Sequence, residues 1–187
     1  MPKANRLTIH FSVVALLVLF CASCLAYSSL PTSNSTKSDF FHTFSGNLVT
    51  ELARAKEEKK FGVLLYFSTA HCPFCKRMKK TVFSQAPAQE YFNTHFRLIE
   101  INIESEQPLT TPRGQVTSYV NFAKANRVRL TPTISFLNQQ GEPVYRHVGM
   151  MADPQEFIWL GEYVVSGQTQ RQSFATYKMN KRRKKQP

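Results

Sequence analysis

Cysteine is scarce in this sequence, which has only four among 187 residues, arranged as the close pairs Cys21/Cys24 and Cys72/Cys75. A small secreted scaffold that is held together by disulfides carries more cysteines at wider spacings. The sequence also lacks an internal repeat and a glycine-rich nucleotide-binding motif. Because the first pair lies in an N-terminal apolar run, the mature domain has one close pair. That arrangement is more typical of redox chemistry than of stapling.

A zinc site shared by the two pairs is the structural alternative. It would need ligands from inside the N-terminal hydrophobic segment and a very long spacer between the pairs. Apart from His71, no histidine and no acidic cluster lies near Cys72 and Cys75 in the sequence. We therefore expect no metal, and no cofactor other than the redox-active cysteine pair itself.

Acidic residues are also few: 12 stand against 24 lysines and arginines, which gives a formal net charge of +12. Most of this excess lies in the chain ends, at Lys3, Arg6, Arg171 and the block from Lys178 to Lys185. The central part is only mildly basic, so no nucleic-acid partner is expected. We expect residues 168–187 to form a basic, disordered tail. The functional alternative is contact with an anionic membrane surface, worth about 1 kcal/mol per basic residue, or with an acidic partner.

The N-terminus combines a basic start with an apolar run. Lys3 and Arg6 precede Phe11–Leu25, which carries no charge, and small residues follow. The pattern predicts a signal peptide or N-terminal membrane anchor over residues 1–26. Cleavage at its end, lipidation at Cys24 and an uncleaved anchor all stay open, although the run is shorter than the ~20 residues that a span needs. Each of these predicts an exported protein of the periplasm or envelope.

An apolar run followed by two cysteines organises the centre of the chain. Gly62–Phe67 is short and rich in branched and aromatic residues, which predicts a buried strand. A tight turn with Cys72 and Cys75 follows, and a helical pattern opens at Pro73, where a missing N–H costs nothing. The first sulfur then lies over unpaired N–H groups at a helix N-terminus, which stabilise a thiolate. We assign Cys72 as the nucleophile and Cys75 as the resolving cysteine.

These residues carry a resemblance to the thioredoxin superfamily. The segment Tyr66–Lys76 is similar to the active site of that family, and Val128–Leu137 resembles its second signature, a proline before a buried strand. The resemblance spans roughly Gly46–Gly167. It implies that the Thr131–Pro132 bond is cis and that this loop lies against the cysteines and binds an extended substrate. It also implies a thioredoxin-like α/β fold, with a mixed central β-sheet flanked by helices on both faces.

The same resemblance implies which neighbours tune the cysteine pair. Pro73 and Phe74 stand between the cysteines, where the intervening dipeptide shifts thiolate stability and redox potential in the family. His71 either donates to the sulfur or is a turn residue. One position departs from the family, which has a buried acid six residues before the first cysteine, where this sequence has Tyr66. A tyrosine with an ordinary pKa of about 10 is a poor base at neutral pH, so water or another group has to take the proton.

The rest of the chain predicts one domain with tails. Residues 27–45 form a linker and N-terminal extension, although Phe40, Phe41 and Phe44 are apolar enough to pack on the domain. The thioredoxin-like domain occupies residues 46–167, with elements in the order β–α–β–α–β–β–α. Helices are predicted over 47–60, from Cys75 to a break at Pro87 and on to His95, over 116–126 and from Pro154 to Gly167; strands are predicted over 62–67, 97–104, 133–137 and 144–148. The polar connection 104–117 receives no role.

The leading hypothesis is an exported thiol:disulfide oxidoreductase that acts as a reductase, similar to the SoxW-type and related envelope thioredoxins. Cys72 would attack a disulfide of a client protein held along the Thr131–Pro132 loop, and Cys75 would release it. A membrane-embedded thiol reductase is the electron donor that the resemblance implies. Two alternatives stay open: an oxidant or isomerase for folding envelope proteins, and a thioredoxin-fold module that binds partners without catalysis.

Overall fold

The predicted central strand lies within a four-stranded mixed sheet. The computed structural model describes residues 39–185, so the predictions for residues 1–26, Cys21 and Cys24 lie outside the described residues. Its elements are α1 (Leu48–Glu57), β1 (Gly62–Ser68), α2 (Pro73–Thr81), α3 (Ala86–His95), β2 (Phe96–Asn102), β3 (Pro108–Thr110), β4 (Val116–Ser118), α4 (Tyr119–Ala125), β5 (Thr133–Asn138), β6 (Pro143–Val148), α5 (Pro154–Val165), a 3₁₀ turn (Gln168–Gln170) and α6 (Phe174–Lys185). Among the helices within residues 39–185, none is long and apolar enough to cross a bilayer.

The main sheet has the strand order β2–β1–β5–β6. Strand β1 runs parallel to β2 and antiparallel to β5, and β6 is antiparallel to β5. In this register Tyr66 lies opposite Glu100 on β2, and Phe67 lies opposite Thr133 on β5. All seven residues of β1 are buried, as expected for a strand that is covered on both faces. The predicted mixed sheet is confirmed.

The side chains of β1 alternate between two cores, because successive residues of a strand point to opposite faces. Leu64 and Tyr66 join a cluster rich in aromatic residues with side chains of α2, α3 and α5, and this cluster includes the cysteine pair. Val63, Leu65 and Phe67 join a second cluster with residues of α1 and α4. Helices therefore cover both faces of the sheet, as predicted.

The N-terminal extension packs on the domain. Phe40 is buried and stacks on Phe83, with ring centroids 4.3 Å apart, and Phe41 stacks on Tyr66 at 5.3 Å. The backbone N–H of His42 donates to the Leu98 carbonyl at 2.8 Å. The predicted packing of these phenylalanines is confirmed, and the compact unit that includes them begins at Asp39.

The connection 104–117 is partly a hairpin. Strands β3 and β4 pair from Pro108 opposite Ser118 to Thr110 opposite Val116, and the Leu109 side chain is buried in the second core. Helix α4 therefore starts later than the predicted residue 116. Its N-cap is Ser118, whose hydroxyl accepts the N–H three residues on, the usual stabilisation of a helix start.

The break between α2 and α3 also differs from the prediction. Pro87 lies in the first turn of α3 rather than at the end of the preceding helix. The first turn of a helix needs no N–H from its residues, so proline is tolerated there. At α5 the prediction holds: Asp153 is the N-cap, Pro154 is the first residue, and Gly167 adopts a left-handed φ of 68° just beyond the end.

The C-terminal residues form a helix, so the prediction of a disordered tail is wrong up to residue 185. Phe174 and Tyr177 of α6 contact Tyr163 of α5, each with ring centroids 5.4 Å apart. Glu156 of α5 pairs with Lys178 and Arg182, and Glu162 pairs with Lys181. These contacts stabilise α6, a helix that the run of positive charge in its sequence did not predict. Three cations of the basic block, Lys178, Lys181 and Arg182, are therefore paired with carboxylates of the domain.

Candidate active site

The sulfur of Cys72 lies at the N-terminus of α2. Cys72 is the N-cap of this helix and has an extended backbone, and its Sγ accepts the backbone N–H of Cys75 at 3.0 Å. Pro73 occupies the first turn, where it removes no hydrogen bond. Strand β1 leads into this turn, and the helix begins where the cysteine replaces the usual serine or aspartate cap. The N–H groups of the first turn and the helix dipole place positive potential at this sulfur.

Cys72 and Cys75 form a disulfide, with their Cα atoms 5.2 Å apart. The exposed fraction of Cys72 is 5% and that of Cys75 is 2%, so the first cysteine is the more accessible one. Between them, Pro73 is exposed and Phe74 is 56% exposed. An apolar side chain is therefore exposed directly beside the disulfide.

The Thr131–Pro132 bond is cis, as the resemblance implied. The Pro132 carbonyl accepts the N–H of Gly149 at 2.8 Å, and the Thr133 hydroxyl donates to the Leu130 carbonyl at 2.7 Å, so both flanks of the loop are fixed. Strand β5 starts at Thr133, which pairs with the end of β1. The loop therefore lies at the same end of the sheet as the turn that carries the cysteines.

His71 is exposed, and within residues 39–185 no hydrogen bond joins its ring to a cysteine sulfur. Its tuning role stays a prediction. The described residues also contain no cluster of three or more histidine, cysteine or acidic side chains that could hold a metal ion.

Tyr66 is fully buried beneath the disulfide. Its hydroxyl lies 3.5 Å from the Cys75 carbonyl oxygen, to which it donates. Burial raises the pKa of Tyr66, and the neighbouring carboxylate of Glu100 raises it further. The phenol therefore stays protonated across the physiological pH range. It can donate a hydrogen bond at this site, but it cannot accept a proton from a thiol.

The sequence interpretation missed an acid that lines the same cavity as Cys75. Glu100 lies on β2, directly opposite Tyr66, and lines a cavity of about 310 Å³ together with Cys75. The Ser68 hydroxyl donates to one carboxylate oxygen at 2.5 Å, and the Lys79 ammonium binds the other at 2.6 Å. In the sequence Glu100 is one of several polar residues of an alternating strand, together with Arg97 and Asn102, and nothing sets it apart from them. Its place beside the cysteine depends on the pairing of two strands.

The Thioredoxin-like domain family matches residues 48–165, which include the cysteine turn and the cis-proline loop. The chain belongs to this family. A candidate disulphide-isomerase from Bacteroides thetaiotaomicron is 30% identical, with 67% of this chain and 91% of that chain covered and a TM-score of 0.53. No curated protein gives a significant match.

Two further solved structures share the fold. A thioredoxin-fold protein from Helicobacter pylori is 20% identical, with 76% of this chain and 92% of that chain covered and a TM-score of 0.61. The DsbH oxidoreductase is 13% identical, with 67% of this chain and 83% of that chain covered and a TM-score of 0.52. With family membership and the Cys72–Cys75 disulfide at a helix N-terminus, the chain is a thioredoxin-like thiol:disulfide oxidoreductase.

Proposed function

We propose that this protein reduces disulfides in exported client proteins, with Cys72 as the nucleophile and Cys75 as the resolving thiol. The observation that carries the proposal is the Cys72 sulfur at the start of α2, where it accepts the Cys75 N–H. A thiolate at that position is stabilised by the same N–H and by the helix dipole. Export, the envelope location and the SoxW-type subgroup are supported by sequence patterns alone and stay predictions.

The reaction consists of two exchanges. In the first, the Cys72 thiolate attacks one sulfur of a client disulfide, a mixed disulfide forms, and the second client sulfur leaves as a thiolate. In the second, Cys75 loses its proton and attacks the Cys72 sulfur, which releases the first client sulfur and closes the Cys72–Cys75 disulfide. The client gains two electrons and the protein loses two. A dithiol donor restores the reduced pair, and the donor class we propose is a membrane-embedded thiol reductase.

The client segment would lie along the Thr131–Pro132 loop. Thr131 is half-buried and Pro132 is buried, so Thr131 is the more accessible residue of the two. Exposed Phe74 and Leu130 flank this end of the sheet and would contact apolar client side chains. Contact of the basic C-terminal block with an anionic membrane surface also stays a proposal, and α6 limits it because Lys178, Lys181 and Arg182 already pair with carboxylates.

Glu100 is the group that we propose takes the proton of Cys75. Its carboxylate lines the same cavity as Cys75, and Ser68 and Lys79 hold it there. A polar cavity of this size admits water, so a water molecule can carry the proton from the sulfur to the carboxylate. Tyr66, which occupies the place of the family's usual acid, acts only as a donor to the Cys75 carbonyl.

Replacing each cysteine tests the assigned roles. In a turbidity assay of insulin reduction by dithiothreitol, Cys72→Ser should lower the rate to that without protein, because no attacking sulfur remains. Cys75→Ser should instead accumulate a mixed disulfide with insulin, visible on a non-reducing gel. Equal insulin reduction by wild type and Cys72→Ser would contradict the proposal and favour the non-catalytic binding module.

The reduction potential distinguishes the reductase from the oxidant or isomerase. Equilibration of the Cys72–Cys75 pair with dithiothreitol or glutathione redox buffers measures it directly. A reductase should give a value near thioredoxin's, about −270 mV, whereas an oxidant of the DsbA kind lies at about −120 mV. A measured value close to the second figure would overturn the reductive direction while leaving the disulfide exchange intact.

Removing the carboxylate charge tests the role of Glu100. A positioned base contributes about 10²-fold or more to a proton transfer, and buffer water replaces part of it, so Glu100→Gln should slow release of the mixed disulfide at least about tenfold at pH 6.5. The defect should shrink as pH rises towards about 8.5, where a free thiol ionises unaided. The rate of mixed-disulfide release is measured by acid quenching at a series of times, repeated at several pH values.

Two matched variants complete that test. Tyr66→Phe removes the neighbouring hydroxyl. Because this hydroxyl accepts no proton, the variant should release the mixed disulfide at a rate close to that of the wild type. Glu100→Asp should recover part of the rate lost in Glu100→Gln. A pH-independent defect in Glu100→Gln, or an equal defect in Tyr66→Phe, would show a structural effect and exclude the proton-transfer role.

A further inference from the structure

Three arginines surround a cavity next to the cis-proline loop. Arg127, Arg129 and Arg146 line this cavity of about 190 Å³, which we call the arginine rim. Thr133 also lines it and directly follows Pro132. The rim therefore adjoins the loop along which the proposed client lies, at the end of the sheet that carries the cysteines.

Within residues 39–185, the charges of the arginine rim have no acidic partner. The three side chains are exposed, and no ion pair within residues 39–185 includes Arg127, Arg129 or Arg146. Arg146 donates from Nε to the Ser135 hydroxyl at 3.4 Å. Three like charges around one cavity raise the local positive potential, and a guanidinium matches the geometry of a carboxylate by donating two parallel hydrogen bonds.

The arginine rim also carries apolar surface. Leu130 is 66% exposed and Val148 is 51% exposed, and both line the cavity. Val148 pairs with Thr133 in the sheet, so it stands beside the loop as well. Exposed aliphatic side chains next to unpaired guanidinium groups suit a peptide segment with alternating aliphatic and acidic residues.

Positive charge flanks the disulfide on its other side. Lys76, Arg77 and Lys80 of α2 are exposed and take part in no ion pair of the described region, whereas Lys79 is paired with Glu100. Lys76 lines the cavity that contains Cys75. A client that approaches the cysteines therefore meets positive charge both on α2 and at the arginine rim.

We propose that the arginine rim binds carboxylate side chains of the client segment next to its disulfide, so that the preferred clients have Asp or Glu close to the reacting cysteine. This rests on the proposed disulfide exchange and names the class of substrate for it. The occupant is an extended acidic segment of a client protein. Opposite charges there speed the encounter and hold the segment against the Thr131–Pro132 loop.

Reduction of matched peptides tests the proposal. Three disulfide peptides of one length differ only beside the cysteine, with three Glu, three Gln or three Lys residues. Mixing each with the reduced protein and quenching with acid gives a second-order rate constant without any electron donor. The acidic peptide should react at least about tenfold faster than the neutral one at low ionic strength, and the basic peptide should be slowest. This preference should shrink at high salt, because salt screens exposed charges.

Variants locate the preference at the arginine rim. In R127Q/R129Q/R146Q the acidic-to-neutral rate ratio should fall to near one, and in R129E it should drop below one. Arg113→Gln, in the exposed turn between β3 and β4, is the matched control and should keep the wild-type ratio. Because each ratio is measured within one protein sample, loss of active protein cancels.

Three other outcomes are possible, and each contradicts a different part of the proposal. Equal rates for the three peptides with wild type would overturn the acidic preference while leaving the proposed function intact. If the triple variant keeps the preference for the acidic peptide, the cations of α2 are its source, and the assignment to the arginine rim is wrong. If none of the peptides is reduced, the proposed function fails and the inference fails with it.

Discussion

The hydrogen bond from the Cys75 N–H to the Cys72 sulfur is the contact on which the rest of the site depends. It exists because β1 ends in a turn that makes Cys72 the N-cap of α2, and because Pro73 fits the first helical turn. Both features require the strand to be anchored, and β1 is buried on both faces of the sheet. The same sheet brings the cis-proline loop to this end, because β5 pairs with β1. The local sequence suggests that Cys72 lies at a helix start, and the packing of the sheet holds it there.

In the proposed exchange, the proton of Cys75 passes to an acid on β2 rather than to one on β1. Where an acid would lie on β1, the chain has Tyr66, whose pKa is raised by burial and by the Glu100 carboxylate. The acid lies across the pair of strands on β2, facing the cavity beside Cys75 and held by Lys79. Phe41 of the N-terminal extension covers this region: it stacks on Tyr66, and the Lys79 ammonium lies 5.7 Å from its ring centre. Residues outside the family match thereby support the site.

Sequence predicts the parts of this protein whose chemistry is local. The cysteine turn, the helix start at Pro73 and the Asp153 cap are legible because a few adjacent residues determine them. Glu100 could not be found this way, because the register of β2 against β1 places it opposite Tyr66 and at the cavity that Cys75 also lines. Helix α6 was missed because contacts with α5 stabilise it, including the Lys181–Glu162 pair, while its own residues show no amphipathic pattern. Tertiary contacts override local propensity there.

The pH dependence of Cys72 alkylation tests the central claim most directly. The reduced Cys75→Ser protein is treated with iodoacetamide at a series of pH values, and the modified Cys72 is quantified by mass spectrometry. A thiolate held at the start of α2 should give a rate curve with a midpoint below about 7.5, in the range of helix-terminal cysteines. A midpoint at or above about 8.5, the value of an ordinary free thiol, would contradict the claim that this helix start makes the sulfur reactive.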